Sequence, residues 1–324
     1  MLSTFPRTLL VVMLCLALAS LAQAAPTSYS FFSVANPNDT AFTQLLGINN
    51  VSTISGYWGD GTVVPNHGFT LVLPNSFTPE NFPSATQTQV IGINNTGWTD
   101  GFYVDGMGVT HGFTHNGTSF TTVDAPTTAF NQLLGINDGL AAVGYSSLDP
   151  TGMTVQRSYM VSGTTFTYLD GFLPMSVGNN QAVGINNAGL VVGFYADSMG
   201  VFHGYLFNGA TAMTLDFMGG MGTQAFGINN HSEIVGDYTD SMGVMHGFTY
   251  LGGVFQTVDD PAGVAGSTVI NGINDLGQLA GFYTDANDNV IGFVATPTPE
   301  PGSLALLGSG LLVGLGLLRR KLML

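Results

Sequence analysis

Along most of the chain, apolar residues alternate with small or polar ones in runs of about five residues. Each run is bounded by Asn, Asp, Gly or Ser clusters. Alternation at a period of two predicts short half-buried strands, and the intervening clusters supply tight turns. In the stretch from Gln132 to Leu169 the pattern predicts four strands: Gln132 to Asn137, Leu140 to Tyr145, Gln156 to Val161 and Thr165 to Leu169. The turns follow a rule, with N-N-x-G or N-D-x-G after the first strand, D-x-x-G after the second, and N-G, S-G or G-G after the third. These residues tolerate the backbone of hairpin turns, so the four strands, here named a to d, form an antiparallel meander.

That meander recurs. G-I-N-N or G-I-N-D begins at Gly47, Gly92, Gly135, Gly184, Gly227 and Gly272, with spacings of 45, 43, 49, 43 and 45 residues. A four-stranded unit of about 45 residues is a propeller blade. The sixth copy ends after strand c at Ile291 to Val294, while Phe31 to Pro37 near the other end matches the strand d segment Phe120 to Pro126. The expected fold is therefore all-β: a six-bladed propeller whose last blade is completed by the N-terminal strand, since an open solenoid would leave an unpaired edge at each end.

Within the repeat, several positions invite a functional reading. Two glycines nine residues apart in every copy, such as Gly47 and Gly56, are expected to share one face, where a neighbouring backbone or ring approaches. Six tyrosines follow the second glycine (Tyr57, Tyr103, Tyr145, Tyr195, Tyr238 and Tyr283) and are expected to pack between blades. His67, His111, His203 and His246 occupy one position of strand c, with Arg157 there in copy three. Thirteen residues on come Glu80, Asp124, Asp216 and Asp259, with Asp170 after Arg157. Across a hairpin this spacing predicts five base–acid latches, with Ile291 facing Ala35 in the sixth blade. One imidazole and one carboxylate per blade fall short of a zinc cage, and five equivalent pairs single out no catalytic pocket, so no catalytic residue is assigned. The loop carrying Asp285, Asn287, Asp288 and Asn289 is the one turn dense enough in oxygen ligands to be considered for calcium, which takes 6 to 8 of them. No other cofactor is expected. Glu233 is the one acid outside the repeat pattern.

Charge narrows the partners. Between Thr27 and Thr296 the only Lys or Arg is Arg157, while 19 of the 20 acids remain. Such a domain does not neutralise phosphates, which excludes ordinary nucleic-acid binding. The only cysteine, Cys15, lies in the apolar run Leu9 to Leu21, which follows Arg7 and precedes Ala22-Gln23-Ala24. This is the form of a signal peptide over residues 1–24, cleaved between Ala24 and Ala25, and it leaves a mature chain without disulfides.

At the other end, Pro299-Glu300-Pro301 precedes an apolar run from Leu304 to Leu318 and the cations Arg319, Arg320 and Lys321. As a helix the run spans roughly 22 Å, a short transmembrane segment with its cations on the cytoplasmic side. Residues 297–324 closely resemble the PEP-CTERM sorting signal of Gram-negative bacteria. The resemblance implies that an exosortase in the inner membrane recognises Pro299-Glu300-Pro301 and removes the helix, so that membrane anchoring is transient. It further implies a place at the cell surface or outside it, alongside exopolysaccharide and biofilm. The G-I-N-x-x-G-x-x-V-G and H-G-F blocks, over about residues 40–296, resemble the HAF family of extracellular repeats, a family without assigned catalytic residues.

Together these features predict an exported, non-enzymatic surface or matrix protein. Its expected partners are the secretion machinery and exosortase in transit, then exopolysaccharide or surface proteins. The rival expectation is a secreted propeller enzyme acting on glycans, which needs two carboxylates suitably spaced on one face.

Overall fold

The computed structural model describes residues 28–173 and 179–298, so the signal-peptide positions Ala24 and Ala25 and the sorting residues Pro299 to Pro301 and Arg319 to Lys321 lie outside the described residues. Within them are six four-stranded antiparallel sheets. Five are sequential meanders, for example Phe130–Ile136, Ala141–Ser147, Arg157–Ser162 and Thr165–Tyr168 in blade 3. The sixth joins Val269–Ile273, Leu279–Thr284 and Val290–Pro297 to the N-terminal strand Tyr29–Val34. Tyr29 pairs with Pro297 and Val34 with Gly292, which puts Ala35 opposite Ile291 in the continued register. Phe31 meets Phe293 edge-on at 5.4 Å, and the Ser33 and Tyr283 hydroxyls lie 3.0 Å apart. The described residues thus form a closed six-bladed propeller.

Packing explains the repeated H-G-F block. Its aromatic position holds Phe69, Phe113, Tyr159, Tyr205, Phe248 and Phe293, all at most 1% exposed. Each buried ring contributes about 1.5–3 kcal/mol by leaving water. In blade 3 Ser158 replaces the glycine of the block, and its hydroxyl donates to Asn180 Oδ1.

The two glycines of each copy do not share a face. Strand a bulges in every blade just before G-I-N, so that Leu45 pairs with Gly56 but Gly47 pairs with Ser55, the neighbouring residue. An extra residue in one strand inverts the alternation beyond it. The first glycines therefore line the axis, where a Cβ on Gly135 would lie 2.5 Å from the Val183 carbonyl of the next blade. The second face their own hairpin, where a Cβ on Gly144 would lie 1.9 Å from the Gln132 carbonyl.

The tyrosines divide in the same way. Tyr103, Tyr195, Tyr238 and Tyr283 pair with the strand c position of the histidines. Tyr57 and Tyr145 stand one residue earlier, opposite Gly68 and Ser158, and so project from the other face. All six are buried between blades.

Candidate functional site

The antiparallel path gives the disc two unlike faces. The a–b and c–d turns open on one, here called the near face; the b–c turns and d–a loops open on the other, the far face. At the centre of the near face each a–b turn opens with Asn-Asn or Asn-Asp and is built on its first Asn. Asn186 Oδ1 accepts from the Ala188 and Leu190 amides, and its Nδ2 donates to the Asn229 carbonyl of the next blade at 3.1 Å. The same inter-blade bond runs from Asn49 to Asn94, Asn94 to Asn137, Asn137 to Asn186, Asn229 to Asn274 and Asn274 back to Asn49.

A second ring lies above the first. Asn50, Asn95, Asp138, Asn187, Asn230 and Asp275 each donate a backbone N–H to the side chain of the next member. Asp138 and Asp275, on opposite blades, each take two further amide donors on Oδ2, from Asn95 and Asn187 and from Asn50 and Asn230. Burial pushes both carboxyls up, but these donors outweigh it and hold them below the usual carboxylate range. The space enclosed is only about 70 Å³, and its oxygens are already engaged, so the ring is a clasp.

On the far face four of the five expected latches form. His111 Nδ1 meets Asp124 at 2.6 Å, His203 meets Asp216 at 3.0 Å, His246 meets Asp259 at 2.8 Å and Arg157 meets Asp170 at 2.6 Å. Each of these histidines also faces the Asp of its own b–c turn across 3.6 Å: Asp105, Asp197 and Asp240. Those turn carboxylates cap backbone amides, as Asp105 Oδ1 does for Met107 and Val109. Asp285 does the same for Asn287 and Asn289 and takes the Asn289 amide on Oδ2, while Asp288 adopts φ 63°. The calcium candidate loop is thus the same capped turn. Among the described residues no three His, Cys, Asp or Glu side chains converge on one point.

The fifth latch does not form, and the reason is parity. In blade 1 strands c and d are joined by the three residues Leu73 to Asn75, because Val72 pairs with Ser76. The other blades use even loops, with Ser162 pairing Thr165 and His115 pairing Phe120. One residue of slip moves every later side chain to the opposite face. Asn81 therefore takes the place of Asp124: its Oδ1 accepts from the Gly68 amide at 3.1 Å, as Asp124 Oδ1 does from Gly112. His67, without a carboxylate, stacks on Trp58 at 4.2 Å.

Glu80 instead turns into the interface with blade 2. It is 7% exposed, accepts a hydrogen bond from the Thr99 hydroxyl and pairs with His115 Nδ1 at 3.0 Å. Burial raises its carboxyl above the ordinary range, against the opposing pull of Thr99 and His115. His115 in turn stacks on Phe120 at 4.1 Å. These groups floor a cleft of about 530 Å³ that opens on the near face, with Thr53, Thr70, Thr78, Asn81 and Asn95 along its walls. Neither Asn81 nor His115 is marked by the repeat alignment; the odd length of the Leu73 to Asn75 loop is the sequence signal that exposes both.

Glu233 sits at a different interface. It is buried beside Tyr29 of the N-terminal strand, with Thr249 close by, and burial raises its carboxyl. Asp100 and Asp237 are also buried, which pushes them up to about 8 and about 7 respectively.

With this geometry in place the comparisons can be stated. Residues 297–321 match the PEP-CTERM protein-sorting motif. The motif marks the chain for exosortase-linked export across the membrane. No curated protein sequence matches the chain. Among solved structures, the SapL1 lectin in complex with α-methyl fucoside aligns with a TM-score of 0.52 at 12% identity, covering 81% of this chain and 98% of that one. An Aleuria aurantia lectin aligns at 0.49 and 10% identity over 81% and 98%. The β-propeller domain of the Trilobed protease from Pyrococcus furiosus aligns at 0.45 and 9% identity over 80% and 97%. At these identities the likeness is one of fold.

Proposed function

We propose that the propeller is a non-enzymatic glycan-binding module, delivered to the cell surface or surrounding matrix through its sorting signal, and that the cleft between blades 1 and 2 is its binding site. The observation that carries this is the asymmetry. In a chain of near-identical blades, one odd loop turns a single carboxyl inward and opens a cleft lined by hydroxyls and amides over an aromatic floor. Its volume of about 530 Å³ lies within the usual range for small-molecule sites. Threonine and asparagine side chains offer both donors and acceptors to sugar hydroxyls, and Phe120 and the methyl of Thr70 offer apolar contact. The acidity of the domain favours an uncharged glycan over an anionic one. Glycan hydrolysis would call for a second carboxylate near Glu80, and the partner that Glu80 has is the His115 imidazole.

The test is a glycan array followed by calorimetry on the folded domain, with Glu80→Gln and Thr70→Val. Loss of a charged hydrogen bond in the site should cost about 1.5–3 kcal/mol, or roughly 10- to 150-fold in affinity, for Glu80→Gln. Thr70→Val should weaken binding less and keep the wild-type melting profile, whereas Glu80→Gln also loosens the contacts to Thr99 and His115, so its binding is measured well below its own melting midpoint. A wild-type domain that binds no neutral glycan, or one whose binding is untouched by both variants, would refute the assignment.

A further inference from the structure

The two ends of the propeller, at Ser28 and Thr298, and the cleft occupy the same face of the disc. Strand Val290–Pro297 runs from a b–c turn to the near face, and Tyr29–Val34 starts there, where the Thr298 amide donates to the Ser28 carbonyl at 3.0 Å. The cleft opens between the turns that carry Val51, Thr96 and Gly117, on that face too. Only residues 299–303 separate Thr298 from the apolar run that begins at Leu304, a reach of at most about 20 Å even when extended.

Charge supports the same orientation. Carboxylates crowd the far face, in the b–c turns (Asp60, exposed, and Asp105, Asp149, Asp197, Asp240 and Asp285, half-buried) and beside them in the d–a loops. At the near face Asp138 and Asp275 have their carboxylates clasped by asparagine amides, and Glu80 and Glu233 are buried. An anionic bilayer surface therefore repels the far face and tolerates the near one.

We infer that in the membrane-anchored precursor the near face is held against the bilayer, so that the cleft is closed to polymeric ligands until the tail is cut. This rests on the cleft being the binding site; the orientation itself does not. Sorting then does more than release the protein, because the cut after the propeller turns the cleft toward the matrix. A bulky ligand is excluded from the anchored chain by the lack of room, while the far face stays open throughout.

The experiment uses the full chain held uncleaved by Glu300→Gln in vesicles containing anionic lipid, with Cys15→Ser and one introduced cysteine. Val51→Cys marks the cleft rim, where the native side chain is 71% exposed, and Met199→Cys marks the far face, where it is 82% exposed. Labelling by a polymer-linked maleimide should be several-fold slower at Val51→Cys in the anchored chain than in the released domain, and equal in both at Met199→Cys. Inserting about 40 Gly/Ser residues after Thr298, an average span of about 35 Å, should restore labelling at the rim. Equal labelling of the two positions in the anchored chain overturns the inference, and so does protection that survives the insertion. Because the label needs no glycan, failure of the released domain to bind sugar sinks the proposed function and leaves this result standing.

Discussion

Replacing Asn186 with alanine tests how much the inner asparagine ring holds the blades together. The residue is 4% exposed, and its side chain makes three hydrogen bonds: two hold its own turn and one crosses to the Asn229 carbonyl. Each such bond is worth about 0.5–1.5 kcal/mol, and the Asn229 carbonyl keeps only the Ser232 amide at 3.1 Å, so losing all three should make Asn186→Ala cost about 2–4 kcal/mol. For a domain of this size each kcal/mol lowers the midpoint by roughly 2–4 °C, so a fall of about 4–16 °C is expected by calorimetry. Asn187→Ala is the control. Its amide bonds the Asp138 carboxylate at 2.6 Å on the exposed rim, where water replaces the lost partner, and the cost should stay near 1 kcal/mol or below. Equal losses at the two positions would show that the inner ring contributes no more than surface hydrogen bonds do.

Two further outcomes follow. Asp100 and Asp237 have folded-state values of about 8 and about 7 against an ordinary 3.8, so their contribution is full below about 3.8 and is lost as pH rises through those values. The domain should therefore melt higher at pH 5 than at pH 8.5, and Asp100→Asn with Asp237→Asn should flatten that slope; an unchanged slope would mean that neither group carries it. Deleting Tyr29 to Val34 should expose the edge of Val290–Pro297 and yield aggregates or strand-swapped oligomers in size-exclusion chromatography, and a monomeric, stable product would refute closure through that strand.

The architecture was legible because each blade repeats its turn residues at a spacing of 43 to 49 residues, and because the strand missing after Val294 could be found at Phe31. The latches were legible where the hairpin loop is even, as at His111 and Asp124. They failed in blade 1 because hairpin parity depends on how many residues lie in the loop, and a fixed separation of thirteen from His67 to Glu80 hides a slip of one. The bulge before each G-I-N was equally hidden, since a bulge leaves the alternation of residue types intact while inverting their faces. The asparagine rings escaped for a different reason: the turn chemistry of Asn49 or Asn186 is local and visible, whereas its second bond reaches a neighbouring blade whose position only the closed ring defines.

Ring closure also imposes an order on biogenesis. The strand Tyr29–Val34 is synthesised first, yet its partner Val290–Pro297 is the last element of the propeller to be made. Five blades can form as local hairpins while the chain is still growing, but the sixth must wait, with one exposed edge kept open at each end of the nascent array. The sorting motif begins at residue 297, on the final strand itself, so the segment that directs the chain follows directly on the strand that seals it. A chain truncated before Val290 lacks the address and the last closing strand together, and such a product would be open at its edges and unable to proceed.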